Sequence, residues 1–229
     1  MSTIAIITAR GGSKRIPKKN IKEFCGKPII AYSIEAALNS GVFNEVMVST
    51  DSEEIKSIAE QYGASVPFLR SELTSGDYAT TADVIEEVVT TYKRNGQEFD
   101  VVSCIYPTAP FVSAERLNEA WAKMMDANAD AIAAVVKFSF PPQRAFVIRS
   151  GLVSYQYPEY KLSRSQDLEP IYHDCGQFYF CKTSQFLAYK TLIVPNTIPY
   201  IMPEEEVQDI DTFSDWEIAE AKYRVLHRG

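Results

Sequence analysis

The feature that most constrains the fold is a regular alternation of short apolar runs and amphipathic stretches over the first 138 residues. Short runs rich in Val and Ile predict buried strands, and apolar residues at helical spacing predict the helices between them. The predicted strands are 4–7, 45–50, 66–69, 101–106 and 131–138, and the predicted helices are 28–40, 51–62, 80–94 and 113–127. This alternation predicts an α/β fold, a mostly parallel sheet with helices on both faces.

The alternation stops after Pro141-Pro142. Strand-like pieces at 145–149 and 152–155 precede an irregular stretch, and the pattern returns with a strand at 177–181 and a helix at 214–226. A length of 229 residues suits one α/β domain. We therefore expect a single domain over 1–229 with an inserted arm at about 139–175, which could close a site or reach a partner subunit.

The net charge of −7 argues against a nucleic-acid partner, yet it is unevenly distributed. Residues 10–27 contain seven Lys or Arg and one acid, so this segment carries +6 and the remainder −13. A local positive field in an acidic protein favours a compact anion such as a polyphosphate. A solvated basic loop is the alternative, but ligands of parallel sheets bind beyond the strands' carboxyl ends, where this loop begins.

The loop ARGGSKR at 9–15 directly follows the first predicted strand. Its glycine pair lets backbone N–H groups approach an anion, and the cations Lys14, Arg15, Lys18 and Lys19 can neutralise a triphosphate. The loop is not an ATPase phosphate loop, because Gly26-Lys27 is followed by Pro28, and G-x-G-x-x-G is absent.

Three other sequence features indicate the cell compartment. The four cysteines form no CxxC pair and no zinc-type spacing, no window approaches a membrane span, and the N-terminus does not have the pattern of a signal peptide. We expect a cytoplasmic protein with neither a membrane nor a nucleic-acid partner.

The segment IITARGGSKRIPKKN at 6–20 closely resembles the signature of the sialic-acid-type (nonulosonate) cytidylyltransferases. Similar to the family's motifs are also VSTD at 48–51, Arg70 with Glu72 and Asp77, YPTAP at 106–110 and DIDT at 209–212, so the resemblance spans nearly the whole chain. It implies a Rossmann-like, nucleotide-diphospho-sugar-transferase-like fold and a homodimer. It also implies Mg²⁺-dependent transfer of CMP from CTP to the anomeric hydroxyl of an acidic nine-carbon sugar, with pyrophosphate as the second product.

The resemblance also assigns residues. The implied nucleotide-binding residues are Ala9, Arg10, Gly11, Gly12, Ser13, Lys19, Asn20, Arg70, Thr80 and Thr81, with Arg70 and Thr81 reading cytosine. The implied catalytic residues are Arg10, Lys14, Lys19 and Asp211. Arg70 as a surface arginine and Thr81 as a helix cap remain the alternatives.

Asp209 and Asp211 lie two residues apart, so on an extended segment both carboxylates point to one side. Such a pair suits Mg²⁺, and the resemblance implies that role. The alternative is capping of the final helix, which Thr212 or Ser214 could supply alone, while Asp215 is expected near that helix start. No general base is evident.

For the sugar, the implied residues are Tyr106, Thr108, Arg164, Gln166, His173 and Gln177, with Arg164 as the partner of the sugar carboxylate. The family typically reads RPNG where this chain has HDCG at 173–176, and glutamine where it has Tyr106. The patterns RSQDL at 164–168 and YHDCGQFY at 172–179 are similar to members that use pseudaminic acid for bacterial surface and flagellin glycosylation.

Several alternatives stay open. Within the class, N-acetylneuraminate, legionaminate or 3-deoxy-octulosonate could be the sugar. A nucleotide-binding regulator without catalysis is disfavoured by the presence of Lys19, Asp209 and Asp211. A carbohydrate-binding or dimeric interaction protein is suggested only by the tyrosine-rich stretch 155–172, and that hypothesis leaves the basic loop unexplained.

Overall fold

The computed structural model of the chain describes residues 1–228. Its strands are β1 (Thr3–Thr8), β2 (Glu23–Phe24), β3 (Lys27–Pro28), β4 (Glu45–Ser49), β5 (Val101–Ile105), β6 (Ala131–Lys137), β7 (Phe146–Arg149), β8 (Leu152–Tyr155), β9 (Tyr172–Lys182) and β10 (Thr197–Ile201). Its helices are α1 (Ile29–Ser40), α2 (Glu53–Gln61), α3 (Glu72–Ser75), α4 (Thr81–Arg94), α5 (Ala114–Asp126), α6 (Thr183–Tyr189) and α7 (Phe213–Leu226).

Six strands form one sheet in the order β10-β6-β9-β5-β1-β4. β9 runs antiparallel to β5 and β6, and the other neighbouring pairs are parallel. Residues of β1 alternate between two apolar layers: Ala5 and Ile7 pack with α1, α2 and α5, whereas Ile4 and Ile6 pack with α4 and α6. The predicted mostly parallel sheet with helices on both faces is confirmed.

One predicted strand, 66–69, is wrong. The chain there makes only an isolated bridge between Met47 and Ser65 and then leaves the sheet. Pro67 explains the failure, because it has no N–H to donate to a strand ladder. The sequence pattern also missed α6 and β10, and the strand predicted at 177–181 is part of the longer β9.

The parallel strands end at one edge of the sheet, where β1, β4 and β5 are followed by loops. Between β6 and β9 the chain forms the antiparallel hairpin β7–β8, which lies within the predicted arm. No helix within residues 1–228 combines the length and apolarity needed to cross a membrane.

Candidate active site

A cavity of about 450 Å³ lies at the carboxyl end of β1 and β5. Eleven predicted site residues line it: Arg10, Ser13, Lys14, Lys19, Asn20, Arg70, Thr80, Thr81, Tyr106, Thr108 and Asp211. Arg15, one of the cations expected to neutralise a triphosphate, also lines it. Lining residues that were not assigned a role from the sequence are Thr8, Ile16, Thr74, Gly76, Asp77, Ala79, Val84 and Pro107. Four parts of the chain that are far apart in sequence, 8–20, 70–84, 106–108 and Asp211, therefore meet around one cation-rich space.

The loop after β1 is held from beneath. Ile16 is fully buried in an apolar cluster with Phe24 and Trp216, and buried Asn20 donates its Nδ2 to the carbonyl of Arg10 at 2.9 Å. Asn20 thus fixes the loop's path through a backbone contact, while the charged side chains stay accessible. Its assigned contact with the nucleotide stays a prediction.

The glycine pair does not itself line the cavity. The N–H of Gly11 donates to Asp51 Oδ1 at 2.7 Å, and a Cβ on Gly11 would lie 3.2 Å from the Cβ of Ser52. A Cβ on Gly12 would meet nothing within 4 Å. Ala9 is buried and its N–H donates to the strand β4, at 2.9 Å from the Ser49 carbonyl. Close approach of a ligand at Gly12 is therefore sterically open.

The basic side chains are paired with two acids. Asp77 lies 3.2 Å from Arg10 Nη1 and 2.5 Å from Lys14 Nζ, and the hydrogen bond from Lys14 is the main cause of the lowered pKa of Asp77. Asp211 lies 2.8 Å from Arg15 Nη2 and 3.7 Å from Lys19 Nζ. Exposed pairs of this kind are weak in water, so a polyphosphate can replace them.

Lys19 and the aspartate pair form a second polar group. Lys19 Nζ donates to the Ile210 carbonyl at 2.6 Å, and burial lowers the pKa of Lys19 although Asp211 and Asp209 oppose that effect. Burial raises the pKa of Asp209, and the neighbouring Asp211 raises it further. A cation at this position would relieve that repulsion.

The final helix does not need either aspartate as its cap. Thr212 is the N-cap, and together with Asp215 it forms a capping box. The capping alternative for Asp209 and Asp211 is therefore wrong. Asp211 lines the cavity, whereas Asp209 does not.

The protein supplies only some of the oxygen ligands that a Mg²⁺ ion needs. Within the described chain, no cluster of three or more His, Cys, Asp or Glu side chains suits a metal ion. Mg²⁺ is commonly held by one or two carboxylates together with substrate phosphates and waters. Asp209 and Asp211 are compatible with that arrangement.

Arg70 is buried, with 8% of its surface exposed, which excludes the surface-arginine alternative. Its Nε donates to the Ser49 hydroxyl at 3.1 Å and its Nη2 to the Ser49 carbonyl at 2.6 Å. Burial lowers the pKa of Arg70, and the charge of Asp51 opposes this effect. The guanidinium is therefore fixed in direction at the cavity wall.

The start of α4 shows which of Thr80 and Thr81 is the helix cap. Thr80 is its N-cap: the Thr80 hydroxyl accepts the N–H of Asp83, whose carboxylate accepts the Thr80 N–H in return. Thr81 is the first residue of the helix and lines the cavity, so the cap alternative for Thr81 is wrong. Its hydroxyl is available for a ligand contact.

On the sugar side, Tyr106 and Thr108 line the cavity, and burial raises the pKa of Tyr106 to about 12. Gln177 is 2% exposed and donates its Nε2 to the Glu206 carbonyl at 2.6 Å. The structure therefore gives Gln177 a contact within the fold and places it outside the cavity lining.

The remaining predicted sugar residues lie further out. Arg164 is exposed and bonded to Asp167 through two contacts of 2.7 and 3.1 Å, and Gln166 lies beside it. His173 is exposed, packs on Phe138 with ring centroids 4.5 Å apart, and has Nδ1 2.8 Å from the carbonyl of the next residue. The chain does not bring these three residues to the cavity lining.

Solved structures share this fold. A CMP:2-keto-3-deoxy-manno-octonic acid synthetase complexed with CTP matches with a TM-score of 0.71 at 18% identity, covering 99% of this chain and 100% of the other. A 4-diphosphocytidyl-2C-methyl-D-erythritol synthase from Anaerococcus prevotii matches with a TM-score of 0.67 at 15% identity, covering 97% and 96%. At these identities the matches show a shared fold, in agreement with the predicted Rossmann-like fold.

Residues 4–195 match the model of the cytidylyltransferase family, and the chain belongs to that family. It is similar to a pseudaminic acid cytidylyltransferase of Campylobacter jejuni, with 43% identity over 99% of this chain and 98% of the relative. It is also 37% identical to a CMP-N,N'-diacetyllegionaminic acid synthase of Legionella pneumophila, over 96% of this chain and 95% of that relative.

Proposed function

We propose that this chain transfers CMP from CTP to the anomeric hydroxyl of a nonulosonic acid, with pseudaminic acid as the sugar, and releases pyrophosphate. The observation that carries the proposal is the 43% identity to a pseudaminic acid cytidylyltransferase, because it extends over 99% of this chain. The cation-lined cavity at the carboxyl end of β1 supports it independently. We place the enzyme in the cytoplasm, where CTP is available.

In this proposal the triphosphate lies along Arg10, Lys14 and Lys19, with Ser13 and Asn20 beside it. These cations would neutralise the charge on the α-phosphate and on the leaving pyrophosphate as the anomeric hydroxyl attacks. Phosphoryl-type transfer depends mainly on such alignment and electrostatic stabilisation. Partial burial of Lys19 would strengthen its interaction with a phosphate relative to that of an exposed lysine.

The base would lie against α4 and Arg70. A donor nitrogen of Arg70 would bond to the cytosine carbonyl, and the Thr81 hydroxyl would accept from the exocyclic amino group. The two bonds of Arg70 to Ser49 support this role, since a fixed guanidinium loses little freedom on binding.

Asp209 and Asp211 would hold Mg²⁺. When bound, the ion supplies charge neutralisation at the phosphates. Because Asp211 is paired with Arg15 and Lys19, occupation by a cation would free both side chains for the nucleotide.

The acceptor sugar would lie beside Tyr106 and Thr108, with His173 at its outer edge and Arg164 on its carboxylate. Arg164 lies outside the lining of its own chain's cavity, so this role requires the arm to bend or to reach a second subunit. We propose a homodimer, supported by exposed apolar side chains on the arm, which are Phe140, Phe146, Ile148, Leu152, Val153 and Leu162.

A substrate screen tests the proposal. The protein is incubated with CTP, Mg²⁺ and pseudaminate, legionaminate, N-acetylneuraminate or 3-deoxy-octulosonate in turn, and pyrophosphate and CMP-sugar are measured. We expect the highest kcat/KM with pseudaminate and a loss of roughly 100-fold in Asp211→Asn, because a bound ion stabilises the transition state by several kcal/mol. Turnover of neuraminate without pseudaminate would refute the sugar assignment, and CTP binding without any product would favour a regulator.

Mixing two inactive variants tests the arm. Arg164→Ala and Asp211→Asn are each expected to be inactive, and light scattering should show a dimer. If the arm reaches the partner's cavity, subunit exchange between the two variants restores part of the activity. A monomer would refute the dimer, and inactive mixed dimers would show that each arm serves its own cavity.

A further inference from the structure

The last residue of β4 and the turn after it, residues 49–51, contact two parts of the proposed nucleotide site. β4 pairs in parallel with β1, so this segment, which we call the β4 end, lies beside the start of the basic loop. Ser49 and Thr50 are buried, whereas Asp51 is exposed. None of the three lines the cavity, so the β4 end can act on a nucleotide only through other residues.

The carbonyl oxygen of Ser49 contacts both parts of the site. It accepts the N–H of Ala9 at 2.9 Å and Nη2 of Arg70 at 2.6 Å. The Ser49 hydroxyl accepts Nε of Arg70 at 3.1 Å, and the Thr50 carbonyl accepts the backbone N–H of Arg70 at 2.8 Å. The guanidinium proposed to contact the base is therefore fixed relative to the start of the basic loop, because one oxygen atom bonds to both.

The carboxylate of Asp51 contacts the basic loop two residues beyond Ala9. Its Oδ1 accepts the N–H of Gly11 at 2.7 Å, and the Gly11 carbonyl accepts the N–H of Ser13 at 3.0 Å. Both polar backbone groups of Gly11 are therefore bonded where the loop turns to bring Ser13 and Lys14 to the cavity. A negative charge beside a polyphosphate site opposes binding, so the useful contribution of Asp51 is its acceptor oxygen.

We propose that Ser49 and Asp51 are positioning residues for separate parts of the nucleotide. Ser49 orients Arg70 for the base, and Asp51 orients the basic loop through Gly11 for the phosphates. The inference rests on the proposed function. Since the two contacts use different atoms of the β4 end, each can be removed while the other stays, and binding of the base and of the phosphates should respond separately.

Inhibition of CTP turnover by CMP and by pyrophosphate tests this division, because CMP carries the base and one phosphate and pyrophosphate carries phosphates alone. Ser49→Ala removes the bond from Arg70 Nε and keeps both bonds to the Ser49 carbonyl. A lost hydrogen bond corresponds to about a three- to tenfold change in affinity. We expect the inhibition constant of CMP to rise by that factor while that of pyrophosphate stays unchanged.

Asp51→Ala removes the acceptor of the Gly11 N–H. We expect the inhibition constant of pyrophosphate to rise by the same factor and that of CMP to rise less, since Arg70 stays charged and bonded to Ser49. Asp51→Asn keeps an acceptor oxygen without the charge, so it should restore most of the affinity for pyrophosphate. That rescue separates the hydrogen bond of Asp51 from its charge.

Two variants outside the cavity lining are the matched controls. Asp100 Oδ2 accepts the backbone N–H of Ser2 at 2.7 Å, a contact of the same kind and length as that of Asp51, but it precedes β5 at the opposite edge of the sheet. Buried Ser40 donates its hydroxyl to the Ala37 carbonyl at 2.7 Å, at the end of α1. Asp100→Ala and Ser40→Ala should lower the Tm and leave both inhibition constants unchanged.

The outcomes are distinct. If Ser49→Ala and Asp51→Ala change only the Tm, as the controls do, or raise both inhibition constants equally, the division of roles is overturned while the proposed function stands. An Asp51→Asn variant that binds pyrophosphate as weakly as Asp51→Ala would also overturn the role of Asp51.

Substitutes cover a variant that does not fold. Asp51→Glu displaces the acceptor oxygen through its longer side chain, and an unchanged inhibition constant for pyrophosphate would overturn the role of Asp51. Ser49→Cys replaces the hydroxyl by a weaker acceptor, and an unchanged constant for CMP would overturn the role of Ser49. A wild-type protein that turns over no nonulosonic acid would overturn the proposed function and this inference with it.

Discussion

Arg70→Lys tests how the cavity binds the base, because it keeps the charge but removes the planar fork. Arg70 is 8% exposed, and its Nε and Nη2 donate to the hydroxyl and the carbonyl of Ser49 at 3.1 and 2.6 Å. A single ammonium reaching for Ser49 can no longer present a second, oriented donor to the cavity. The variant therefore separates the role of the charge from the role of its geometry.

The expected magnitude follows from one lost hydrogen bond of a charged donor. Such a bond contributes about 1.5–3 kcal/mol, which corresponds to roughly a 10- to 150-fold increase in KM for CTP. If the bond is equally strong in the ground and transition states, kcat and the sugar KM stay nearly constant. Losing a buried contact to Ser49 should also lower the Tm, by about 2–4 °C for each kcal/mol in a protein of this size.

Arg116→Lys is the control for stability alone. Arg116 also makes a two-pronged contact, to Glu206 at 2.8 and 3.0 Å, but it lies outside the cavity lining. Initial rates of pyrophosphate release and thermal melts are compared for both variants. If Arg70→Lys lowers the Tm like Arg116→Lys but leaves KM for CTP unchanged, Arg70 is a structural residue and the assigned base contact is wrong.

Three further experiments address other parts of the site. Since burial and Asp211 raise the pKa of Asp209, the folded state binds that proton more strongly than the unfolded chain, and stability falls as pH rises above the unfolded value. Asp209→Asn should therefore raise the Tm at pH 7 in EDTA. It should also abolish the increase in Tm that we expect when Mg²⁺ is added to the wild type, and a variant that melts like the wild type both in EDTA and in Mg²⁺ would contradict this. Gly12→Ala should raise KM for CTP without changing the Tm, whereas Gly11→Ala should lower the Tm because its Cβ crowds the start of α2; equal Tm values would contradict the steric argument. Tyr106→Gln should shift the ratio of kcat/KM from pseudaminate toward neuraminate, and an unchanged ratio would show that this position does not select the sugar.

Much of the fold was accessible from the sequence, because burial on both faces of a parallel sheet leaves continuous apolar runs. The strand predicted at 66–69 failed for the reason that such runs are ambiguous: Pro67 blocks the ladder although its neighbours are apolar. β10 was missed because it contains Pro199 and is only partly buried at the edge of the sheet.

The candidate site could be predicted from the sequence only in part. Loop position and charge indicated the cations after β1, but the buried setting of Arg70 depends on packing. The capping box of Thr80 with Asp83 is local in sequence, yet the sequence alone left Thr81 open as the cap. Asp77 was noticed only as part of a family motif, because nothing in local sequence says that it pairs with Arg10. Gln177 was assigned to the site from the sequence but lies outside the cavity lining. The bulge in β9 sets the direction of its side chain, and no residue pattern encodes that direction.

The ion pairs of Asp211 and Asp77 couple binding of the proposed metal ion to binding of the nucleotide. Asp211 contacts Arg15 and Lys19, so a cation that binds Asp211 weakens their attachment and increases the positive charge facing the phosphates. Asp77 pairs with Arg10 and Lys14 in the same way, but within residues 1–228 the charged groups that shift its pKa are only these two bases, whereas Asp209 and Asp211 act on each other. In the proposed reaction a metal at Asp211 would therefore release only Arg15 and Lys19, and the triphosphate itself would have to displace Asp77 from Arg10 and Lys14. By linkage, any preference of the nucleotide for the metal-occupied state is matched by an equal preference of the metal for the nucleotide-bound state.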